Sequence, residues 1–198
     1  MNLKQVEAFI LKKLENELSP KLTYHGVHHT VDVYNATLML AEREKVTGKD
    51  LDLLKAATFL HDTGFLFTYR DHEKAGCEYA QKILPSLGFD ENDLETICSM
   101  IMATRLPQSP NNKAEEILCD ADLDYLGRDD FWPIANSLYQ EFLAFGIIQN
   151  AVEWNRLQVS FLEKHHYFTP TAKKLREKMK QKHLKEVKEQ LAILESQD

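Results

Sequence analysis

The sequence predicts an all-α protein of one domain and about eight helices, on three observations. Glycine (7) and proline (6) are few in 198 residues, so long stretches run without a breaker. Within those stretches apolar residues recur every three or four positions, which is the helical period. No internal repeat and no low-complexity linker divides the chain.

Met1 to Glu17 reads as a first amphipathic helix, ended by Ser19-Pro20. His25 to Lys45 reads as the second. On it Val27, Val31, Tyr34, Leu38 and Ala41 make one apolar stripe, with His25, His29 and Asp32 on roughly the opposite side. Val33, Ala36 and Leu40 flank the His/Asp stripe, so that stripe is expected to face the interior. Gly48 breaks the chain, and Asp50 is expected to cap the third helix, Leu51 to His61. Leu53, Leu54, Ala56, Ala57, Phe59 and Leu60 make that helix apolar nearly all round, the mark of a central element. It ends in His61-Asp62, with Gly64 as its stop.

Asp71 is expected to cap a helix to Leu84, closed by Pro85 and Gly88. Another runs from Glu91 to Thr104, after which Pro107 and Pro110 mark a polar loop. Ala114 to Leu126, Phe131 to Phe145 and Gln149 to His165 follow. Ala151, Trp154, Leu157 and Phe161 are the expected core stripe of the third of these. Thr169-Pro170 opens the final helix, because proline suits a first turn. Its basic residues, Lys173 to Lys188, read as a solvated face with i,i+4 pairs such as Lys182 with Glu186.

The chain is long enough for a substantial core. A net charge of -7 argues against a general nucleic-acid binder, which carries a basic balance. It leaves room for one small phosphate-bearing molecule, since a metal ion supplies local positive charge. Cys77, Cys98 and Cys119 are odd in number and widely spaced. They predict small buried side chains in a reducing cytoplasm rather than a disulfide framework. Met1 to Ser19 is charged throughout, so no signal peptide is expected, and no apolar run approaches the ~20 residues of a membrane span.

The chemistry concentrates in His29, the adjacent pair His61-Asp62, and Asp122. Buried and unpaired, such groups each cost several kcal/mol, and a divalent cation satisfies all of them at once. Asp120 aligns with Glu116 and Asp124, which reads as a solvated acidic stripe. Asp122 aligns with Leu118 and Tyr125, so Asp122 is taken as the ligand and Asp120 as a supporting or surface residue. Mixed imidazole and carboxylate ligation suits Mn²⁺, Fe²⁺, Ni²⁺, Co²⁺ or Zn²⁺ better than Mg²⁺. Four protein ligands on one octahedral ion leave positions for water and substrate, which hydrolysis requires.

The order His29, His61-Asp62, Asp122 resembles the HD superfamily of metal-dependent phosphohydrolases, over roughly Tyr24 to Leu126. The resemblance implies a single domain over residues 1–198. Its metal-site core spans about 24–126, and helices over 131–196 complete the pocket. Tyr24-His25-Gly26-Val27-His28-His29-Thr30-Val31-Asp32-Val33 is similar to the YHNxxHAxDV stretch of cyclic nucleotide phosphodiesterases. That likeness implies a general-acid role for His25 and metal ligation by His29, with His28 structural or exposed. Met102-Ala103-Thr104-Arg105 resembles their ATD segment, with Arg105 where the family has a carboxylate. Gln158-Val159-Ser160-Phe161 resembles their QVxF segment, in which Gln reads the purine edge and Phe stacks on the base. Asp122 to Asp129 is similar to the post-ligand segment of HD-type deoxynucleotide triphosphohydrolases, which implies nucleotide contacts from Tyr125 and Asp129.

Thr63-Gly64-Phe65 departs from the phosphodiesterases, which place acidic and histidine residues for a second metal after the doublet. One ion is therefore expected. His72 and Glu73 are candidates to face the phosphate or activate water, and Arg105 to bind a phosphate oxygen. His165-His166 is read as a favourable pair at a helix end. The expectation is hydrolysis of a phosphate ester or phosphodiester of a nucleotide, cyclic nucleotides included, by metal-bound hydroxide with His25 as the acid. The alternative is a non-catalytic nucleotide-binding sensor or regulatory module. A third reading, oxidation by two irons, is disfavoured by the missing second-site histidines. Exposed apolar positions on the last helices leave a homodimer open.

Overall fold

The computed structural model describes residues 1–196. Nine α-helices and three short 3₁₀ turns make up the described residues, with no strand among them. The helices are α1 (Leu3–Glu17), α2 (Val27–Arg43), α3 (Gly48–Leu60), α4 (His72–Ile83), α5 (Glu91–Ala103), α6 (Lys113–Asp122), α7 (Phe131–Ala144), α8 (Ala151–Lys164) and α9 (Pro170–Glu195). No helix among the described residues is long and apolar enough to cross a membrane.

Two apolar clusters organise these elements. The larger is built by α1 to α6 around α3, whose Leu53, Leu54, Ala56, Ala57, Phe59 and Leu60 are all buried. α3 touches α1, α2, α5 and α6, so its all-round apolarity matches a helix with neighbours on every side. The smaller cluster joins Tyr24 and the turn after α6 to α7, α8 and α9 through Leu123, Tyr125, Leu126, Phe131, Trp154, Leu162 and Leu184. Asn2, Asp90, Asn112, Asn150 and Thr169 each accept a backbone N–H at the head of a helix, which explains why those boundaries are sharp.

Several elements depart from the sequence reading. Extended Gly26 is the N-cap of α2, so His25 precedes the helix rather than sharing its face. The buried side of α2 is His29, Thr30, Val33, Ala36, Thr37, Leu40 and Ala41, and Val31 is exposed. Small residues on that side let α2 sit close to α3 and α6, while Tyr34 lies at the flank, stacked on Phe59. α3 begins at Gly48 with Thr47 as N-cap, placing Asp50 inside the first turn. Asp71 takes the N-cap position of α4 in the left-handed region (φ 53°) but makes no capping bond, its carboxylate accepting instead from Arg105. α6 stops at Asp122, and a separate 3₁₀ turn covers Asp124–Gly127.

The acidic stripe of α6 is not solvated. Asp120 is fully buried and accepts from Phe168 N (2.8 Å), Thr169 N (2.7 Å) and Thr169 Oγ1 (2.7 Å). Asp124 is buried under a two-pronged Arg176 contact of 2.7 and 3.0 Å. Both carboxylates stitch the first cluster to α9, which sequence spacing could not reveal. In α8 the buried line is Trp154, Asn155, Gln158 and Leu162, leaving Leu157 exposed. The basic face of α9 is solvated in part, with Lys182 pairing Glu186 at 3.6 Å. Lys180 and His183, however, are buried, with Lys180 Nζ donating to the His165 carbonyl at 2.6 Å. His165 itself caps α8 with its ring held against Tyr167, and burial pushes it down to about 3, so it stays neutral and gains nothing from the helix dipole.

Candidate metal centre

His29 comes from the first turn of α2, His61-Asp62 from the end of α3 and Asp122 from the last position of α6. The four side chains meet between these three helices. His29 Nε2 lies 3.1 Å from Asp122 Oδ1, 3.3 Å from Asp62 Oδ2 and 3.4 Å from His61 Nε2. His61 Nε2 is 3.2 Å from Asp62 Oδ2 and 3.6 Å from Asp122 Oδ1. His61 Nδ1–H donates to the Thr58 carbonyl at 2.7 Å, which fixes the tautomer and turns Nε2 toward the other donors.

This set fits a divalent ion on two counts. Donors about 2.1 Å from an ion stand about 3.0 Å apart at right angles and about 3.4 Å apart in a tetrahedron, and the observed separations run from 3.1 to 3.6 Å. Asp62 Oδ2 is buried without a hydrogen-bond partner, although two imidazole nitrogens crowd it. His29, His61 and Asp122 by themselves form a compact metal-capable cluster. The electrostatics agree. Burial alone would lower His29, yet its hydrogen bond to Asp122 and the nearby Asp62 carboxylate lift it to about 9. His61 rises likewise against burial, chiefly through the Asp62 charge. Both carboxylates fall below their ordinary range against burial, Asp62 mainly through His61 and Asp122 through its hydrogen bond to His29 and the nearby His61. The two carboxylates thus favour positive charge at this spot, which a divalent cation supplies.

Above the cluster opens a cavity of about 700 Å³. It is lined by Asp62 and Asp122, by His25, His72, Glu73 and Arg105, and by Tyr125, Gln158 and Phe161; His29 and His61 are buried behind Asp62 and Asp122 and do not line it. The far wall is apolar: Phe131, Leu138, Phe142, Ile147, Trp154, Leu157 and Leu162. Leu157 and Phe161 face this space, which is why they depart from the buried line of α8. His72 Nε2 is 3.4 Å from Asp62 Oδ1 and 3.6 Å from Glu73 Oε1. Phe65 lies between the two rim histidines, stacked on His25 at 4.2 Å and on His72 at 4.0 Å. Arg105 Nη2 donates to Asp71 at 2.6 Å at the mouth. Asp32 is outside the cavity and accepts from Arg128 at 2.8 Å, while His28 and Asp129 are exposed.

Sequence reasoning missed Glu141. It is fully buried in α7, and its Oε2 accepts from Tyr24 N (2.9 Å) and His25 N (3.0 Å). Its Oε1 takes the His25 Nδ1 contact (2.5 Å) and the Tyr69 hydroxyl (2.9 Å). One carboxylate therefore holds both the backbone and the ring of His25. The available signal was that Glu141 is the only charged residue in Phe131–Ala144.

The chain belongs to the HD domain family, whose model matches residues 26–124, half of its length. Fold and cluster together define the class of a metal-dependent phosphohydrolase. The chain is similar to a crystal structure of a predicted HD superfamily hydrolase from an uncultured Thermotogales bacterium, at 25% identity and a TM-score of 0.60, covering 97% of this chain and 92% of that one. It also shares its fold with a protein from Lactobacillus plantarum, at 17% identity and a TM-score of 0.65, covering 96% and 97%. No protein of curated function matches the chain.

Proposed function

We propose that the chain hydrolyses a phosphate ester or phosphodiester of a nucleotide, with His29, His61, Asp62 and Asp122 holding one divalent ion. The observation that carries this reading is the partnerless Asp62 Oδ2 between two imidazole nitrogens, at the floor of a cavity with an aromatic wall. Bound there, a divalent ion supplies a water of lowered pKa and positive charge for the phosphoryl oxygens.

The remaining work falls to the chain. Glu141 engages His25 Nδ1, so Nε2 is the ring atom free to carry a proton to a leaving oxygen. His72 and Glu73 stand beside Asp62 Oδ1, within reach of a water or a phosphoryl oxygen at the cavity floor. Arg105 keeps guanidinium donors for a phosphate at the mouth after pairing with Asp71. Tyr125, Gln158 and Phe161 also line the cavity, where the Gln158 amide can both donate and accept toward a base edge and the rings offer stacking faces. Because α7 and α8 supply that wall, the unit proposed is the single domain 1–198 rather than the matched half.

The test is a panel of nucleoside mono-, di- and triphosphates, cyclic nucleotides and aryl phosphates, offered to protein reconstituted with Mn²⁺ or Fe²⁺. The expected outcome is turnover of at least one nucleotide. It should be lost with the metal in His61→Ala, and fall about 10²–10⁴-fold with the metal retained in His25→Ala. Tight nucleotide binding by calorimetry with no turnover over hours would instead establish the sensor reading.

A further inference from the structure

A second cavity, a shallow groove of about 560 Å³ between α4 and α5, shares no lining residue with the first. Cys77 of α4 and Cys98 of α5 both open onto it. Cys77 Sγ lies 3.6 Å from the Cys98 carbonyl oxygen, and Cys98 Sγ lies 3.8 Å from the Cys77 carbonyl oxygen. Reciprocal contacts of this kind set the two residues opposite each other where the helices meet, each sulfur against its partner's backbone. Residues so close are candidates for a disulfide, which bridges Cα atoms within roughly 7 Å. Cys119 is elsewhere: it is fully buried and donates to the Ala103 carbonyl at 3.2 Å.

We infer that Cys77 and Cys98 are a two-electron redox site, a dithiol that a hydroperoxide converts to an intramolecular disulfide tying α4 to α5. The inference does not rest on the phosphohydrolase reading. The groove admits a small oxidant, and Cys98 is the more accessible sulfur. The neighbouring Cys77 side chain holds Cys98 below the ordinary thiol value, while the Cys98 side chain, together with burial, pushes Cys77 up. Cys98, the less buried of the two and open to the groove, is the nucleophile.

Its sulfur attacks an oxygen of the hydroperoxide. The O–O bond breaks, the alkoxide takes a proton and leaves as an alcohol (water, for hydrogen peroxide), and Cys98 becomes a sulfenic acid. The Cys77 sulfur then attacks the Cys98 sulfur. The S–O bond breaks, and the hydroxyl leaves as water with the Cys77 proton. Two thiols lose two hydrogens and two electrons, and the peroxide is reduced by the same two electrons. The bridge would join two elements of the candidate site. Cys77 lies one turn along α4 from Glu73, on the same face, and Cys98 lies two turns before Arg105, where α5 runs out at the cavity mouth.

The experiment treats the full-length chain with hydrogen peroxide, quenches free thiols with iodoacetamide, and maps the peptides. The expected product has lost two hydrogen atoms in intact mass and shows a Cys77–Cys98 linked peptide. Its Cys119 is still alkylated, and dithiothreitol reverses the change. Its melting temperature rises by roughly 5 °C or more, because the link closes a loop of the unfolded chain. Cys77→Ser should stop at an oxidised Cys98 with no link, and Cys119→Ser should behave as the parent. The inference is overturned if both thiols remain alkylatable, if Cys98 proceeds to sulfinic acid beside a free Cys77, or if links form only between chains. Mapping of the unmutated protein decides among these outcomes even if a serine variant does not fold.

Discussion

His165 shows how a single side chain couples this fold to pH. Both of its ring nitrogens are buried without partners, its ring packs edge-on to Tyr167, and burial reinforced by Lys180 pushes it down to about 3. The unfolded chain binds a proton at His165 as pH drops through about 6.5, and the folded chain does not. Stability from this group is therefore fully present above about 6.5 and is lost as pH falls from there toward 3, at up to about 1.4 kcal/mol per unit. Urea unfolding at pH 7.5 and pH 5.0 should show His165→Phe losing about 2 kcal/mol less on acidification than the parent. Equal losses would mean the ring is protonated in the folded state. Nothing in the sequence around His165-His166 signals this, because burial there is imposed by α9 through Lys180. The same holds for Asp120: spacing correctly separates its face from that of Asp122, but the donors that bury it are Phe168 and Thr169, some 48 residues on. The metal quartet was readable because the His61-Asp62 pair ends the most apolar helix and Asp122 shares a helix face with apolar Leu118. Glu141 was not singled out, since its partners come from Tyr24, His25 and Tyr69.

At the scale of elements, the turn after the His-Asp doublet matters more than its length suggests. The 3₁₀ turn Thr63–Leu66 packs against the head of α4, and a Cβ built on Gly64 would lie 1.8 Å from the His72 carbonyl oxygen. Gly64 therefore serves close approach rather than helix termination, and that approach brings His72 to 3.4 Å from Asp62. Gly64→Ala must push α4 away from the doublet. It should destabilise the protein by about 3 kcal/mol in urea unfolding, the upper range of overpacking costs, and weaken any function that uses His72. Gly48→Ala is the control, since that Cβ meets no atom within 4 Å, although its positive φ leaves a smaller cost. If the two variants lost equal stability, the close approach would not be the reason for Gly64. How legible a helix was depended on how its neighbours are arranged. α3, surrounded, could be read directly. In α2 and α8 the packing partners select which apolar residues are buried: Val31 of α2 is left exposed, and Leu157 and Phe161 of α8 border the cavity.

For the molecule as a whole, the candidate site lies where two apolar clusters meet, so an ion would be gripped by α2, α3 and α6 while the second cluster roofs it. An ion bound only by the folded state must stabilise the whole fold, by about 2.7 kcal/mol when free metal is a hundredfold above its dissociation constant. For a chain of this size that is a melting shift of about 5–10 °C. Adding Mn²⁺ to chelator-stripped protein should produce that rise, and renewed chelation should reverse it. Asp62→Asn removes charge at the partnerless oxygen while keeping its shape, and should abolish the shift. The ion also competes with protons, since His29 is lifted to about 9 in the ion-free cluster and must release its proton to ligate. The metal-induced rise should therefore be larger at pH 8 than at pH 6.5 at fixed metal concentration. A rise that survives Asp62→Asn would place the ion on other side chains, and one indifferent to pH would mean that it binds without displacing the protons shared by His29, His61, Asp62 and Asp122.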